Sequence, residues 1–165
     1  MGNIKQKSKK GQAWGMDLMI AFIIFSVGLV SFYFYTLNSG EDSEEIINQM
    51  FYDGNIIAND ILSEGYPINW ETDNVVKIGI ISNNKINETK LNNFYLLSNS
   101  DYAKTKSVFN TKFNYYFFIS ENIILGGNTV EGIGKKPENS ENLIKITRLT
   151  LYKEKPVTFT LYIWE

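Results

Sequence analysis

The ionisable side chains of this chain argue against the familiar kinds of catalytic site. The sequence contains no cysteine and no histidine, which removes thiol nucleophiles, the usual general base and the common ligands of transition metals. Four carboxylates are crowded between Glu41 and Glu45, but they lack the spaced oxygen donors of a calcium-binding loop. A solvated helix start explains them better, because acidic residues in a first turn interact favourably with the helix dipole. We therefore expect no enzymatic activity, no cofactor and no metal site.

One tripeptide does carry a specific chemistry. Asn87-Glu88-Thr89 has the pattern of an N-glycosylation acceptor, and it lies in a predicted turn. Asn87 would carry the glycan if this part of the chain lies outside the cell. The same asparagine is also well placed to cap a helix that contains Lys90 and Leu91, since its side chain can accept a bond from a first-turn N–H. Both interpretations of Asn87 are open.

An uncharged stretch of twenty residues, Leu18 to Leu37, is the strongest structural signal in the chain. As a helix that rises about 1.5 Å per residue, it would span about 30 Å, the thickness of a bilayer's hydrocarbon core. Residues 1–16 carry four lysines and no acid, and short basic flanks stay on the cytoplasmic side. The pattern predicts a protein of the cell membrane with a cytoplasmic N-terminus and an extracellular C-terminal part. Because that part is net acidic, nucleic acid is not expected as a partner.

The residues around Gly11 separate this element from an ordinary secretory signal. Such a signal has an apolar region of about 7–15 residues, followed by a cleavage site made of small residues. Here the apolar run is longer, and Lys9-Lys10-Gly11-Gln12 stands before it. This order resembles the class III, or prepilin-type, signal of archaeal type IV pilin-like proteins. The resemblance covers about residues 5–37.

The resemblance implies a processing step and a set of partners. In that family a prepilin-type signal peptidase cuts after the glycine, on the cytoplasmic side, and the apolar helix is kept. Here this implies cleavage between Gly11 and Gln12. Residues 1–11 would be the leader, residues 12–40 the membrane-spanning and assembly helix, and residues 41–165 the extracellular head. Other pilin-like subunits, or further copies of this chain, would be the assembly partners.

Asp17 and Gly28 are the candidate assembly residues within the apolar helix. The family usually has an acid at the fifth residue of the mature chain, where it meets the N-terminal amine of a neighbouring subunit. Asp17 would be the sixth residue here, and one residue turns a side chain by about 100° around a helix. That role and a simple stabilising position in the first helical turn are therefore alternatives for Asp17. Gly28 would permit the close approach of another helix.

The part of the chain after the apolar helix is predicted to form a small α+β head. Apolar residues at helical spacing predict a helix from about Ser43 to Leu62, which Gly65-Tyr66-Pro67 would end. The remaining pattern predicts strands at 75–81 and 113–120, short helices at 88–97 and 101–109, an exposed loop at 121–142, and two final strands at 143–152 and 157–164. A long N-terminal helix followed by a head with an antiparallel sheet is a pilin-like arrangement.

Two functions agree with this organisation. The first is a structural subunit, major or minor, of a type IV pilus-like surface filament that assembles through the apolar helix. The second is a single-pass, membrane-anchored extracellular module that binds or adheres to a ligand and does not polymerise. Cleavage between Gly11 and Gln12 separates the two, because only a subunit of the first kind requires it.

Overall fold

The computed structural model describes residues 10–38, 41–125 and 127–165. By its backbone contacts the chain divides into two compact units, one that extends through Glu45 and one from Ile46 to Glu165. The first unit contains the apolar helix α1, and the second is the head.

Helix α1 runs from Lys10 to Asn38. Its stretch Gly15–Leu37 contains an 18-residue window with a mean hydropathy of 2.2 and is long and apolar enough to cross a membrane. Large apolar side chains around the helix are exposed, from Leu18 near its start to Leu37 near its end. A helix that is apolar on all sides has no face suited to water. This agrees with the predicted apolar segment and is consistent with a membrane anchor or a signal sequence.

The head is α+β, as expected. Its elements in chain order are most of α2 (Glu41–Ile61), β1 (Ile81–Ser82), β2 (Lys85–Ile86), α3 (Glu88–Ser100), α4 (Tyr102–Val108), β3 (Asn114–Ile119), β4 (Ile123–Leu125), β5 (Asn128–Val130), β6 (Ile133–Gly134), β7 (Leu143–Tyr152) and β8 (Lys155–Trp164). The main sheet has the order β6-β3-β8-β7 with antiparallel neighbours, while β1–β2 and β4–β5 form two small hairpins.

Helix α2 packs on one face of the main sheet. Its buried residues Met50, Ile57 and Ile61 recur at helical spacing and form part of the hydrophobic core. Strand β7 contributes Ile146 to the same core, because alternate residues of a strand point to the same face. Ile144, Ile146 and Arg148 lie on this inner side of β7.

Helix α3 covers the inner face of β3 through aromatic contacts. The Phe94 ring lies 6.2 Å from the rings of both Tyr115 and Phe117, and 5.9 Å from the edge-on ring of Phe109. Such offset and edge-to-face pairs contribute about 0.5–1.5 kcal/mol beyond the burial of their area. These rings join the helical layer to the sheet.

The predicted strand at 75–81 is wrong for most of its length. Only Ile81 lies in a strand, although Lys77 forms a single bridge with Tyr66. The segment instead folds against the turn that follows α2, where Gly65 has a φ of +73°. A Cβ on Gly65 would stand 2.8 Å from the Gly79 nitrogen, so this close approach of two backbones requires glycine.

The predicted loop at 121–142 is also partly wrong, because it contains β4, β5 and β6. Ile123, Leu125, Val130 and Ile133 of this segment are buried, whereas Ile124 is exposed. Strands of only two or three residues give a weak pattern, which the many Gly and Asn residues of this segment obscured.

Candidate functional site

Three of the four predicted processing residues belong to the described part of α1. Lys9 is outside the described residues, and the backbone of Lys10, Gly11 and Gln12 is helical. Cleavage between Gly11 and Gln12 stays a prediction.

Asp17 and Gly28 lie on one face of α1. They are eleven residues apart, about three helical turns, so their directions differ by roughly 20°. Ala21 and Ile24 occupy the same face between them. A Cβ built on Gly28 would meet no atom within 4 Å, and the Asp17 side chain is exposed. The structure thus brings the two predicted assembly residues onto one surface, which we call the Asp17–Gly28 face.

A second small-residue surface on α1 escaped the sequence analysis. A shallow apolar groove is lined by Gly15, Leu18, Met19, Ala21, Phe22 and Phe25. At about 100° per residue, the residues of this Gly15 groove are centred roughly 120° around the helix from Asp17, and the groove meets the Asp17–Gly28 face at Ala21. The spacing of Gly15, Leu18, Phe22 and Phe25 follows helical periodicity and could have revealed it.

Asn87 caps α3, as one of its two interpretations required. Its Oδ1 accepts a hydrogen bond from the Lys90 backbone N–H at 3.1 Å. An N-glycan would be attached to the other amide atom, Nδ2, and Thr89 of the acceptor tripeptide is exposed. Capping and glycosylation therefore use different atoms of Asn87, and the cap does not preclude the modification.

A polar cavity of about 290 Å³ lies beside Asn87. It is lined by Asn69, Trp70, Glu71, Ser82, Asn87, Thr89, Lys90 and Asn93. Lys90 is only 5% exposed, and its Nζ donates to the backbone oxygens of Glu64 at 2.7 Å and Ile81 at 3.0 Å. These bonds tie the turn after α2 to β1, so the buried ammonium group has a structural role.

Glu88 links the start of α3 to the β7–β8 hairpin. Its Oε1 accepts from Lys153 Nζ at 2.7 Å and from the Tyr152 hydroxyl at 3.0 Å. Both hydrogen bonds lower the pKa of Glu88, and the bond from Lys153 has the larger effect. Lys85 forms a similar ion pair with Glu154 at the tip of the same hairpin. These exposed pairs fix the hairpin against α3 and β2.

Helix α2 begins at Glu41, so the acidic stretch Glu41–Glu45 stands at a helix start, as its sequence predicted. Of these, Glu44 and Glu45 are exposed. Within the described parts of the chain, no three residues of the Asp, Glu, His and Cys types come together in a way that could hold a metal ion.

No family model matches the chain, and neither curated protein sequences nor solved structures give a significant match. Sequence and structure together define a class of protein. It has one N-terminal apolar helix, of the kind used as a membrane anchor or signal sequence, followed by a small α+β head with an antiparallel sheet.

Proposed function

We propose that this chain is a structural subunit of a type IV pilus-like surface filament, held in the membrane before assembly and packed against its neighbours afterwards through α1. The observation that carries the proposal is α1 itself. An apolar stretch of 23 residues begins at Gly15, four residues after the glycine of Lys10-Gly11-Gln12. A basic pair, a glycine and a retained apolar helix, in that order, are what a prepilin-type peptidase requires.

The two surfaces of α1 support assembly beyond simple anchoring. A filament built from identical subunits uses heterologous contacts, in which each copy presents one surface to one neighbour and a different surface to the next. The Asp17–Gly28 face and the Gly15 groove point in directions roughly 110° apart around α1, although they share Ala21, and both contain small residues that allow helices to approach closely. A helix that only anchors a protein needs neither surface.

The N-terminal residue of the native protein tests the proposal. We expect mass spectrometry of the protein from native membranes to find a mature chain that starts at Gln12. Gly11→Val should block this cleavage, because the added side chain prevents the close approach of the chain to the protease. Gly15→Val is the matched control: the same change four residues later should leave cleavage intact but weaken filament assembly. An intact Met1 in cells that contain the peptidase would refute the pilin-like function.

The orientation is tested separately. Four lysines precede the apolar helix, so the head should lie outside the cell. The test uses the Gly11→Val variant, which keeps the leader and a tag at residue 1 attached. Protease added to intact cells should digest residues 46–165 and leave the tag protected. Protection of the head together with digestion of the tag would refute this orientation.

A single-pass anchored binding module is the second candidate, and the polar cavity beside Asn87 favours it. Amide and hydroxyl groups predominate in the lining of that cavity, and they suit a polar ligand. The two candidates separate on fractionation after mechanical shearing of cells. A filament subunit is released in fragments that sediment at high speed, whereas an anchored module stays entirely with the membrane.

A further inference from the structure

Strand β7 forms one edge of the main sheet. The sheet order places β8 on one side of β7, and none of the described strands pairs with its other side. Its ten residues pair with β8 in an unbroken register from Leu143 to Tyr152, with no bulge and no proline within β7. Natural sheets usually protect such an edge by shortening it, bending it or placing charges on it. This edge is long and regular.

The turn at the end of β7 determines which backbone groups are free. Lys153 and Glu154 both have positive φ, 51° and 63°, so they form a two-residue hairpin turn in which Tyr152 and Lys155 are a hydrogen-bonded pair. Hydrogen-bonded pairs alternate along an antiparallel ladder. The N–H and C=O groups of Lys145, Thr147 and Leu149 therefore point away from β8, towards the open edge.

The side chains of these same residues are exposed. Leu149 is 81% exposed, and Leu143 and Leu151 on the same face of β7 are 44% and 39% exposed. Lys145 is the one charged residue on this face of the strand. Of the edge-facing backbone groups, the Thr147 C=O accepts a solvent-exposed hydrogen bond from Arg148 Nη1 at 3.1 Å, which a neighbouring strand would have to displace. The edge thus offers outward-facing backbone groups together with apolar side chains.

We propose that β7 pairs with β7 of a second copy of this chain, antiparallel and across a two-fold axis at Thr147. Each copy would extend the other's sheet, so that two four-stranded sheets become one of eight strands. Thr147 of one copy would lie opposite Thr147 of the other. Its N–H would donate across the axis, and its C=O would exchange the hydrogen bond from Arg148 Nη1 for one from the partner's N–H.

Three requirements select this register. The backbone N–H and C=O groups that face the open edge belong to the odd-numbered residues of β7. An odd-numbered residue of one copy must therefore lie opposite an odd-numbered residue of the other. A two-fold axis at Lys145 would place two lysines opposite each other, and an axis at Arg148 would place two arginines opposite each other. Like-charge pairs of this kind are destabilising. An axis at Thr147 avoids both and gives the longest overlap of the allowed registers. Leu149 then lies opposite the aliphatic stem of Lys145, and Leu143 lies opposite Leu151.

A second copy is the occupant that this edge favours, because its own sequence supplies the complementary strand. The paired area is small compared with the roughly 1,200–2,000 Å² of a stable interface, so the contact would be weak between free heads. Copies that share a membrane through α1 meet at a much higher effective concentration, which favours a weak contact. The contact is isologous and closes on itself, so it is separate from the contacts that would extend a filament.

Cysteine cross-linking in the full-length protein tests this register. The chain has no cysteine, so each introduced thiol is unique. In native membranes under oxidising conditions, Thr147→Cys should form a covalent dimer, because the opposed Cα atoms would be about 5.5 Å apart, within disulfide range. Leu149→Cys and Lys145→Cys, each alone, should give at least about tenfold less dimer, since each residue is displaced from its counterpart by four residues, roughly 13 Å. Co-expression of the Lys145→Cys and Leu149→Cys chains should restore the dimer between them.

Addition of Thr147→Pro to that co-expressed pair should abolish their cross-link. The change removes an N–H that points to the partner and not to β8, and an unchanged near-ultraviolet circular dichroism spectrum of the purified variant reports that the head still folds. The proposal is overturned if Thr147→Cys forms no dimer, if the three single variants cross-link equally, or if the cross-link survives Thr147→Pro. A stronger cross-link between Lys145→Cys and Thr147→Cys than between Lys145→Cys and Leu149→Cys would overturn the register.

Discussion

Gly54 of α2 faces Ile146 of β7 so closely that a Cβ on the glycine would stand 2.6 Å from the Ile146 Cδ1 atom. The same Cβ would be 3.1 Å from the Cγ2 atom of Ile163 on β8. Both isoleucines are buried, so neither can move aside into solvent. The absence of a side chain at Gly54 therefore sets how closely α2 packs on the sheet.

This contact gives the first prediction. Gly54→Ala should lower the free energy of unfolding of the head, because overpacking costs about 1–3 kcal/mol and outweighs the roughly 1 kcal/mol gain in helix propensity. Ile146→Val removes the offending methyl group and alone should cost about 0.5–1.5 kcal/mol. The double variant should lose less than the sum of the two. Denaturant unfolding of the full-length protein in detergent, followed by near-ultraviolet circular dichroism, measures all three.

Gly28→Ala is the control for that series, because its Cβ would meet nothing within 4 Å and it lies in α1. Head unfolding should be unchanged in this variant. Strict additivity of Gly54→Ala and Ile146→Val would show that the two side chains do not compete for the same space.

The second prediction concerns the turn between β7 and β8. Lys153 and Glu154 both occupy the left-handed region, which is costly for residues other than glycine, asparagine and aspartate. Glu154→Gly should raise the free energy of unfolding by about 0.5–1 kcal/mol, measured in high salt so that the lost ion pair with Lys85 matters little. Asn84→Gly alters the corresponding position of the β1–β2 turn, where φ is 62°. Because asparagine already tolerates this conformation, an equally large gain there would contradict the explanation.

The third prediction separates the two roles of Asn87. Asn87→Ala should lower the free energy of unfolding by about 1 kcal/mol through loss of the helix cap, and it should also abolish any glycan. Asn87→Asp keeps the capping oxygen and Thr89→Ala keeps Asn87 itself, yet both destroy the acceptor tripeptide. Intact mass spectrometry of the native protein should show a glycan lost in all three variants. An unmodified wild-type mass would leave Asn87 with capping alone.

The fourth prediction concerns alkaline pH. Tyr115 is fully buried, and its hydroxyl donates to Thr105 Oγ1 at 2.5 Å. Burial raises the pKa of Tyr115 well above its usual value, and burial likewise raises the pKa of Tyr102. The folded head thus holds these protons more tightly than the unfolded chain does. Its stability is full below about pH 10, the ordinary tyrosine pKa, and falls as the pH rises further.

Tyr115→Phe tests that origin, because it removes the titrating group and keeps the ring. The free energy of unfolding of this variant should be lower at neutral pH but should fall less steeply as the pH rises above about 10. Tyr102 still titrates, so some slope should remain. Parallel slopes for the variant and the wild type would assign the alkaline loss to other groups.

Sequence periodicity predicted the elements whose pattern is local. The helical spacing of Met50, Ile57 and Ile61 indicated α2, and Asn87 indicated the start of α3. By contrast, the backbone approach of Gly65 to Gly79, and the fit of Gly54 against Ile146, depend on residues brought together only by the fold. No local pattern contains that information. The short strands β4 to β6 were missed because each has too few residues to show an alternation.

The residues of the candidate site could be predicted from the sequence, but their arrangement in space could not. Asp17 and Gly28 were chosen singly, for their residue types, and the helix places them on one face. The Gly15 groove was not predicted because Gly15 lies before the uncharged run Leu18–Leu37, and only small residues within that run were considered. Processing at Gly11, the assembly role of Asp17 and glycosylation of Asn87 stay predictions, since each depends on another molecule.

Strand β8 occupies the middle of the main sheet, between β3 and β7, although it follows every other described strand in chain order. A ribosome therefore makes both of its neighbours before it makes the strand that joins them. Until β8 emerges, the aromatic side chains of β3 lack the strand against which they pack, and long-range pairing of this kind is slow. In the proposed orientation, with the head outside the cell, export and folding are therefore ordered. The head can complete its core only after β8 has crossed the membrane, and a partial product that lacks β8 would be an incompletely folded, tethered substrate for proteases outside the cell.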